Sequence, residues 1–282
     1  MKSVDPYTKG HMALTIKVNG LALRPTSIPD SILRFVRPLA FYNEDQTHEL
    51  SFSGTSLRFR MGNRNFLLCS RHQLTNHGRR PEDIVIVLDV GNGQRVAINP
   101  NEVGQAVLGP EADVDDAYLA DMLIAEYAPR STERDLSPHF LQMDLLNVPD
   151  LRAMVASSID AIFTLGFPTS DTDYSTFYDD DFNVTGVDIV SRWWKLYFRQ
   201  DDANVWDKRG LVPLEPARSE DPLPIDPDGL SGAPVFFIHG MKKRKPGLGF
   251  AGIVLRANKR GRVNILEAEA IRRAIRMFLS EA

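Results

Sequence analysis

The sequence contains very little cysteine: Cys69 is the single one among 282 residues. One thiol forms no disulfide within its own chain, and secreted proteins commonly carry several, so we expect a reducing, cytoplasmic location. No stretch approaches the roughly 18 consecutive apolar residues of a membrane-spanning helix. The first twelve residues also lack the apolar segment of a secretory signal peptide. We therefore expect no membrane partner.

An excess of positive charge is also missing, since 33 lysines and arginines stand against 37 aspartates and glutamates, for a net charge of −4. Nucleic-acid binding needs a basic face for the phosphates, so we expect no nucleic-acid partner. The six histidines and the cysteine show no zinc-ligand spacing, and no glycine-rich phosphate-binding motif is present. The sequence thus implies neither a metal nor an organic cofactor.

The composition itself is that of a globular protein, with 43% apolar and 25% charged residues. These fractions exclude disordered, collagen-like and coiled-coil classes. The length suggests about two domains, each large enough to bury a core.

Short apolar runs separated by glycine and proline predict many strands. Residues 57–61 alternate strictly between apolar and polar, turn at residues 62–65 and resume at residues 66–69, which predicts a hairpin. Residues 265–279 alone show helical spacing of apolar side chains. The other predicted strands are residues 15–18, 84–88, 95–98, 122–125, 161–165, 234–238 and 250–255, and a further strand region spans roughly residues 184–198.

Many short strands followed by one terminal helix predict a β-barrel or sandwich protein in two halves. A hydrophilic segment, residues 129–138, separates these halves, and a loop rich in proline and acidic residues is predicted at 213–228. We place the N-terminal domain at residues 1–130, a linker at 131–150 and the C-terminal domain at 151–282.

The segment with the clearest chemical meaning is residues 229–235, Gly-Leu-Ser-Gly-Ala-Pro-Val. A serine hydroxyl needs a neighbouring base to become a nucleophile, and backbone N–H groups must stabilise the oxyanion that forms. Glycines let the backbone approach that closely. Ser231 therefore fits a catalytic serine, although a structural serine in a tight turn has the same local sequence.

The order of residues along the chain separates two serine-hydrolase plans. In α/β-hydrolases the acid and the histidine follow the serine, whereas the chymotrypsin plan has the order His, Asp, Ser. Only His239 follows Ser231, and it follows too soon for the first plan. The second plan requires a histidine and an acid upstream, and both are present.

Five segments, in order, carry a resemblance to trypsin-like serine proteases. Residues 229–235 resemble the family's Gly-Asp-Ser-Gly-Gly-Pro-Val signature, and residues 66–72, Phe-Leu-Leu-Cys-Ser-Arg-His, with the preceding Gly-Thr-Ser-Leu at 54–57, resemble its strand and histidine segment. Residues 119–124, Leu-Ala-Asp-Met-Leu-Ile, resemble its aspartate segment. Residues 162–168 end in the Gly-Phe-Pro turn of bacterial members, and residues 252–254, Gly-Ile-Val, resemble the strand beside the primary pocket.

This resemblance implies an all-β fold of two Greek-key β-barrels of chymotrypsin type with a C-terminal α-helix. It also implies a serine endopeptidase in which Ser231 is the nucleophile, His72 the general base and Asp121 the acid that orients the histidine. The N–H groups of Gly229 and Ser231 would form the oxyanion hole. The rivals are His77 for the base and, for the acid, a cluster of nearby aspartates: Asp113, Asp115 and Asp116.

Specificity is predicted from the same resemblance. Ile225 stands where the family has its pocket floor, although a shift of one residue would place Asp226 there instead. Leu255, Arg256 and Ala257 would form the strand that pairs with the backbone of a protein or peptide substrate.

The sequence departs from the family at Leu230, which replaces an aspartate that secreted members use to receive a new N-terminus after zymogen cleavage. We therefore expect no such activation. A cytoplasmic protease still needs restraint, and a regulatory protein partner or a misplaced loop at 213–228 would supply it. The alternatives left open are a catalytically silent binding or regulatory module on the protease fold, and an esterase.

Overall fold

The computed structural model describes residues 15–43, 49–91, 94–105, 116–131, 134–182, 184–200, 211–217, 226–242 and 246–281. Four α-helices lie in these ranges: α1 (Ile28–Ile32), α2 (His72–Thr75), α3 (Asp116–Leu119) and α4 (Ala268–Glu281). None of the helices in the described residues is long and apolar enough to span a membrane.

The first half of the chain builds one main sheet and two separate two-stranded sheets. Its elements are β1 (Ile16–Val18), β2 (Leu21–Leu23), β3 (Val36–Tyr42), β4 (Leu50–Met61), β5 (Arg64–Ser70), β6 (Ile84–Gly91), β7 (Gln94–Ile98), β8 (Glu102–Gln105), β9 (Met122–Tyr127), β10 (Arg130–Ser131), β11 (Arg134–Asp135) and β12 (Leu141–Gln142). The main sheet has the order β7-β6-β3-β4-β5-β9-β8, and β12 pairs with β4. Its two ends, β7 and β8, are joined by residues 99–101 alone, so the sheet must curl round into a barrel.

The second half forms a closed barrel with the order β13-β16-β17-β20-β19-β18. Its strands, together with the separate hairpin β14-β15, are β13 (Ile159–Gly166), β14 (Thr172–Tyr178), β15 (Val184–Ser191), β16 (Trp194–Gln200), β17 (Leu211–Pro216), β18 (Pro234–His239), β19 (Gly247–Ala257) and β20 (Val263–Glu267). Three consecutive strands, β18 to β20, pair in sequence, and the last of them, β20, returns to lie beside β17, which is a Greek key.

The first barrel repeats this order when β7 and β8 are counted as one interrupted strand. Pro100 lies in the interruption, where a residue without an N–H group cannot continue the ladder. The predicted fold class is therefore confirmed: an all-β chain of two Greek-key barrels of chymotrypsin type that ends in an α-helix.

Three apolar cores hold these layers together. The first-barrel core fills the interior of the first sheet and includes Leu67, Cys69 and Tyr127. The second-barrel core fills the closed barrel and includes Leu230 and Val235. A third and larger core joins the outer faces of both barrels to α4, through residues such as Phe59, Phe66, Phe236, Ile271 and Phe278.

Two predicted boundaries are wrong. The helix begins at Ala268, not at residue 265, because Ile265 and Leu266 are buried in β20 as it closes the barrel. Residues 213–216 belong to β17, not to a loop, since they pair with β16 and β20. Residues 218–225 of the predicted loop lie outside the described residues. The domain boundaries stay a prediction.

Candidate active site

His72 and Asp121 are brought together by the pairing of β5 with β9. Ser70 lies opposite Met122 at the end of this ladder, so the residues just beyond the two strand ends become neighbours. His72 Nδ1 lies 2.6 Å from Asp121 Oδ2, and the backbone N–H of His72 donates to Asp121 Oδ1 at 2.9 Å. Two contacts from one carboxylate therefore fix both the position and the orientation of the ring.

This contact decides what the imidazole can do. A carboxylate on Nδ1 holds the ring proton there and leaves Nε2 as the acceptor for a substrate or serine proton. The side chains of His72 and Asp121 are 33% and 26% exposed, so the pair is partly accessible to solvent. The pair has the geometry of a general base with its orienting acid.

Ser231 lies in a tight turn that depends on two glycines. Gly229 has φ +90° and Gly232 has φ +77°, a region that residues with a Cβ rarely adopt. A Cβ at Gly229 would lie 2.4 Å from the Thr169 nitrogen, and one at Gly232 would lie 2.2 Å from the Thr55 carbonyl oxygen. The turn thus has room for no other residue at either position.

The backbone N–H groups of this turn are divided between two uses. Gly232 donates to the Val254 carbonyl at 2.8 Å, and Leu230 donates to the Pro227 carbonyl at 3.1 Å, which fixes the shape of the turn. Within the described part of the chain, the N–H groups of Gly229 and Ser231 donate to no acceptor. Two unoccupied donors beside a serine hydroxyl are what an oxyanion hole requires.

The first barrel holds the turn through Thr55 and Gln73. The Thr55 N–H donates to the Ser231 carbonyl at 3.1 Å, and the Thr55 hydroxyl donates to the Gly229 carbonyl at 2.9 Å. The Gln73 side chain donates to the carbonyls of Thr55 and Ser231 and accepts from the Ser70 N–H. Gln73, the residue next to His72, is therefore hydrogen-bonded to the backbone of Ser231.

Sequence reasoning missed Gln73. Its side chain is 3% exposed, and its main contact spans 158 positions of the chain. A glutamine directly after a candidate histidine carries no signal by itself, because its role depends on which backbone carbonyls the fold brings to it.

The hydroxyl of Ser231 points toward the end of β19. Its Oγ lies 3.5 Å from the Leu255 carbonyl oxygen, a long contact for a hydroxyl donor. Among the described residues no hydrogen bond joins Ser231 Oγ to the His72 ring. Catalytic hydrogen bonds are commonly long before substrate binds, so this geometry is compatible with a nucleophile.

Leu230 shows how the turn is stabilised without the aspartate of the resembled family. The Leu230 side chain is fully buried in the second-barrel core, and a Cβ on Gly166 would lie 2.6 Å from it. Apolar packing, not an ion pair, supports the residue before Ser231.

The remaining predicted residues are placed as follows. Leu255 is buried and Arg256 exposed at the end of β19, where Arg256 and Ala257 pair with β20. The Arg256 guanidinium lies 5.5 Å from the centre of the Tyr118 ring. Ile225 lies outside the described residues.

The structure also separates the rival residues. His77 Nε2 lies 3.2 Å from the Ser53 hydroxyl, and the His77 ring centre lies 5.5 Å from that of Phe41. Asp113 and Asp115 lie outside the described residues, and Asp116 begins α3. His72 and Asp121 are thus the histidine and acid that the described structure joins.

Comparisons with known proteins give structural likeness only. No protein-family model and no curated protein sequence matches the chain. An inactivated protease paralogue of the scabies mite is 10% identical, with 88% of this chain and 93% of that chain covered and a TM-score of 0.47. Mouse neuropsin, a serine protease of the limbic system, is also 10% identical, with 94% and 99% covered and a TM-score of 0.42. Because the sequence identities are 10% and both TM-scores are below 0.5, the fold assignment rests on the strand order described above and not on these two structures.

Proposed function

We propose that this chain is a serine endopeptidase that cleaves peptide bonds through an acyl-enzyme intermediate. One observation carries the proposal: Gln73, the residue after His72, donates to the Ser231 carbonyl and so joins the segment of the His72–Asp121 pair to the glycine turn that presents Ser231. A base, its orienting acid and a serine with unoccupied neighbouring N–H donors are the parts that acyl transfer requires.

In the proposed mechanism Ser231 Oγ attacks the substrate carbonyl carbon while His72 Nε2 takes the hydroxyl proton. Asp121 stabilises the imidazolium that forms, because its carboxylate lies against Nδ1. His72 then gives the proton to the leaving amine, and the acyl-enzyme remains. Water attacks this ester with His72 again as base, which releases the acid and restores Ser231.

The oxyanion of each tetrahedral intermediate would lie against the N–H groups of Gly229 and Ser231. Their positions are fixed by the hydrogen bonds that Thr55 and Gln73 make to the carbonyls of the same turn. Donors already fixed before the reaction need no reorganisation as charge develops, which is how such a hole accelerates catalysis.

The proposed substrate is an extended peptide that adds to the end of β19 at Leu255, Arg256 and Ala257. The apolar support of Leu230 makes activation by a new N-terminus unnecessary, so restraint would come from a regulatory protein partner in the cytoplasm.

The proposal is tested by amide and ester hydrolysis with matched variants. The purified chain should cleave an unfolded protein such as casein and a peptide anilide, as well as an ester. Ser231→Ala and His72→Ala should abolish both activities, whereas His77→Ala should retain them. Hydrolysis of the ester alone would make the protein an esterase.

A second candidate is a silent binding module on the protease fold. The observation that favours a silent module is the contact of the Ser231 hydroxyl with the Leu255 carbonyl instead of with His72. A folded wild type that hydrolyses neither amide nor ester, with or without cell extract, would support this second candidate and reject the first.

A further inference from the structure

A cavity of about 450 Å³ opens on the first barrel between β3, β4, β6 and β7, with the β14-β15 hairpin on one side. Its charged lining is strongly biased to one sign. The lining contains four guanidinium groups and a histidine but one carboxylate: Arg34, Arg37, Arg58, Arg95, His139 and Asp89. This arrangement concentrates positive potential in a concave site.

Arg58 is the innermost of these side chains. It lies opposite Leu67 in the pairing of β4 with β5, and paired residues point to the same face of a sheet. Leu67 belongs to the first-barrel core, so Arg58 points into the interior of the barrel. Arg58 is 5% exposed, and its Nε is buried without a hydrogen-bond partner among the described residues.

A buried guanidinium without a counterion is unfavourable, because desolvation of the charge is not offset by a partner. Burial lowers the pKa of Arg58 to about 10, and the nearby Arg37 lowers it as well, while Tyr127 acts in the opposite direction. Burial and then the charges of Arg58 and Arg37 lower the pKa of His139. A water molecule would satisfy the Nε hydrogen bond, but only an anion compensates the charge.

We propose that this cavity binds a phosphate-bearing organic molecule of roughly nucleotide size. A guanidinium group donates paired hydrogen bonds to phosphate oxygens. The positive charge of several such groups is larger than one carboxylate can neutralise, which favours a ligand with more than one negative charge. The volume lies within the range of small-molecule sites and exceeds the space of one phosphate ion. Apolar walls from Phe52, Val87 and Leu88 would contact the organic part.

This site does not depend on the proposed proteolysis. The arginines come from separate strands and from the segment before β3, which is why no phosphate-binding motif is visible in the sequence. The fold, not a local glycine loop, assembles the charge.

The test is calorimetric titration of the full chain with ATP, pyrophosphate and inorganic phosphate, in magnesium-free buffer at matched ionic strength. We expect ATP to bind with a measurable Kd, and Arg58→Met to weaken binding at least about tenfold. Arg58→Met should also raise the melting temperature of the ligand-free chain, because a buried unpaired charge has been removed. The control Arg260→Met alters an exposed arginine outside the cavity and should leave the Kd unchanged.

The titrations distinguish the proposed site from its alternatives. No binding of ATP or pyrophosphate by the wild type, or undiminished binding by Arg58→Met, would overturn the site. Equal affinity for inorganic phosphate and ATP would overturn the organic part of the ligand. If Arg58→Met does not fold, Arg95→Gln on the exposed rim provides the same comparison.

Discussion

Asp121 orients His72 through both of its carboxylate oxygens. One carboxylate oxygen faces His72 Nδ1 and the other accepts the His72 backbone N–H. An asparagine has the same shape, but its amide group would donate toward Nδ1 and force the ring proton onto Nε2. The imidazole would then be oriented correctly and yet be unable to accept the serine proton.

We therefore predict that Asp121→Asn lowers kcat for a peptide amide by about ten-thousandfold while the protein stays folded. Steady-state kinetics and circular dichroism of the same preparation measure the two parts. Asp188→Asn, an exposed aspartate in β15, should leave kcat unchanged. A tenfold loss or less in Asp121→Asn would mean that His72 does not act as the base.

Cys69 lies close to His72 in the sequence, but its thiol is not reactive. It lies three positions before His72, yet it is fully buried in the first-barrel core. Burial raises the pKa of its thiol, and the carboxylate of Asp121 raises it further, so the sulfur stays neutral and unreactive.

We expect no reaction of Cys69 with iodoacetamide in the native protein and full reaction in denaturant. Intact mass gives the answer directly. Rapid alkylation of the native chain would show that the first barrel opens or that the thiol is accessible.

For single residues, the sequence was informative where a residue type is tied to a particular chemistry. Ser231, with its flanking glycines, was identifiable because few other uses need that pattern. His72 and Asp121 needed the family resemblance, since 49 positions separate them and only strand pairing joins them. Gln73 had no such signal, and neither did the cluster of arginines around Arg58.

The turn that presents Ser231 is the element on which the site depends. Its glycines have positive φ, and their missing Cβ atoms face backbone of other elements. Gly62 offers a matched comparison: it has φ +56° in the turn between β4 and β5, but a Cβ there would meet nothing within 4 Å. The two positions therefore separate conformational strain from close contact.

Gly62→Ala should cost only the left-handed strain, about 1 kcal/mol. Gly232→Ala should cost more than about 3 kcal/mol, since strain adds to a clash with the Thr55 carbonyl. Urea unfolding measures both free energies. Equal losses in the two variants would mean that the Ser231 turn can move away from the first barrel.

Element prediction succeeded where apolar residues alternate along one strand, as in β4 and β5. It failed where tertiary pairing overrides local pattern. Ile265 fits a helix by spacing, but it is needed to close the second barrel against β17. Pro213 suggests a loop, yet it lies in β17 opposite Asn264 of β20.

The whole molecule is joined by α4 and the third core. Phe278 packs edge-on against Phe66 of the first barrel, at 6.3 Å between ring centres, and the helix follows directly on β20 of the second barrel. Arg272 is 7% exposed and donates to Asp150 at 2.6 Å and to the carbonyls of Leu145 and Val148. One side chain thus anchors the helix to the segment between the barrels.

Arg272→Ala should destabilise the chain by about 3–5 kcal/mol, because it leaves Asp150 and two carbonyls without their partner. Arg276→Ala, on the exposed side of the same helix, should cost about 1 kcal/mol or less. Chemical unfolding of both variants provides the comparison. A similar small loss in each would show that α4 is held by its apolar face alone.

The two-barrel order could not be obtained from periodicity. Alternation identifies strands but does not say which of them pair, and β3 with β6 or β5 with β9 are pairs between strands distant in sequence. The resemblance of five short segments supplied that order, and the observed strand pairing agrees with it.

The proposed mechanism requires Ser231 to be a nucleophile that His72 activates. The most direct measurement is the intact mass of the protein after incubation with a fluorophosphonate, beside Ser231→Ala, His72→Ala and the control His77→Ala. We expect a single adduct on the wild type and on His77→Ala, and none on the other two variants. No adduct on the folded wild type between about pH 6 and 9, even in the presence of cell extract, would contradict it.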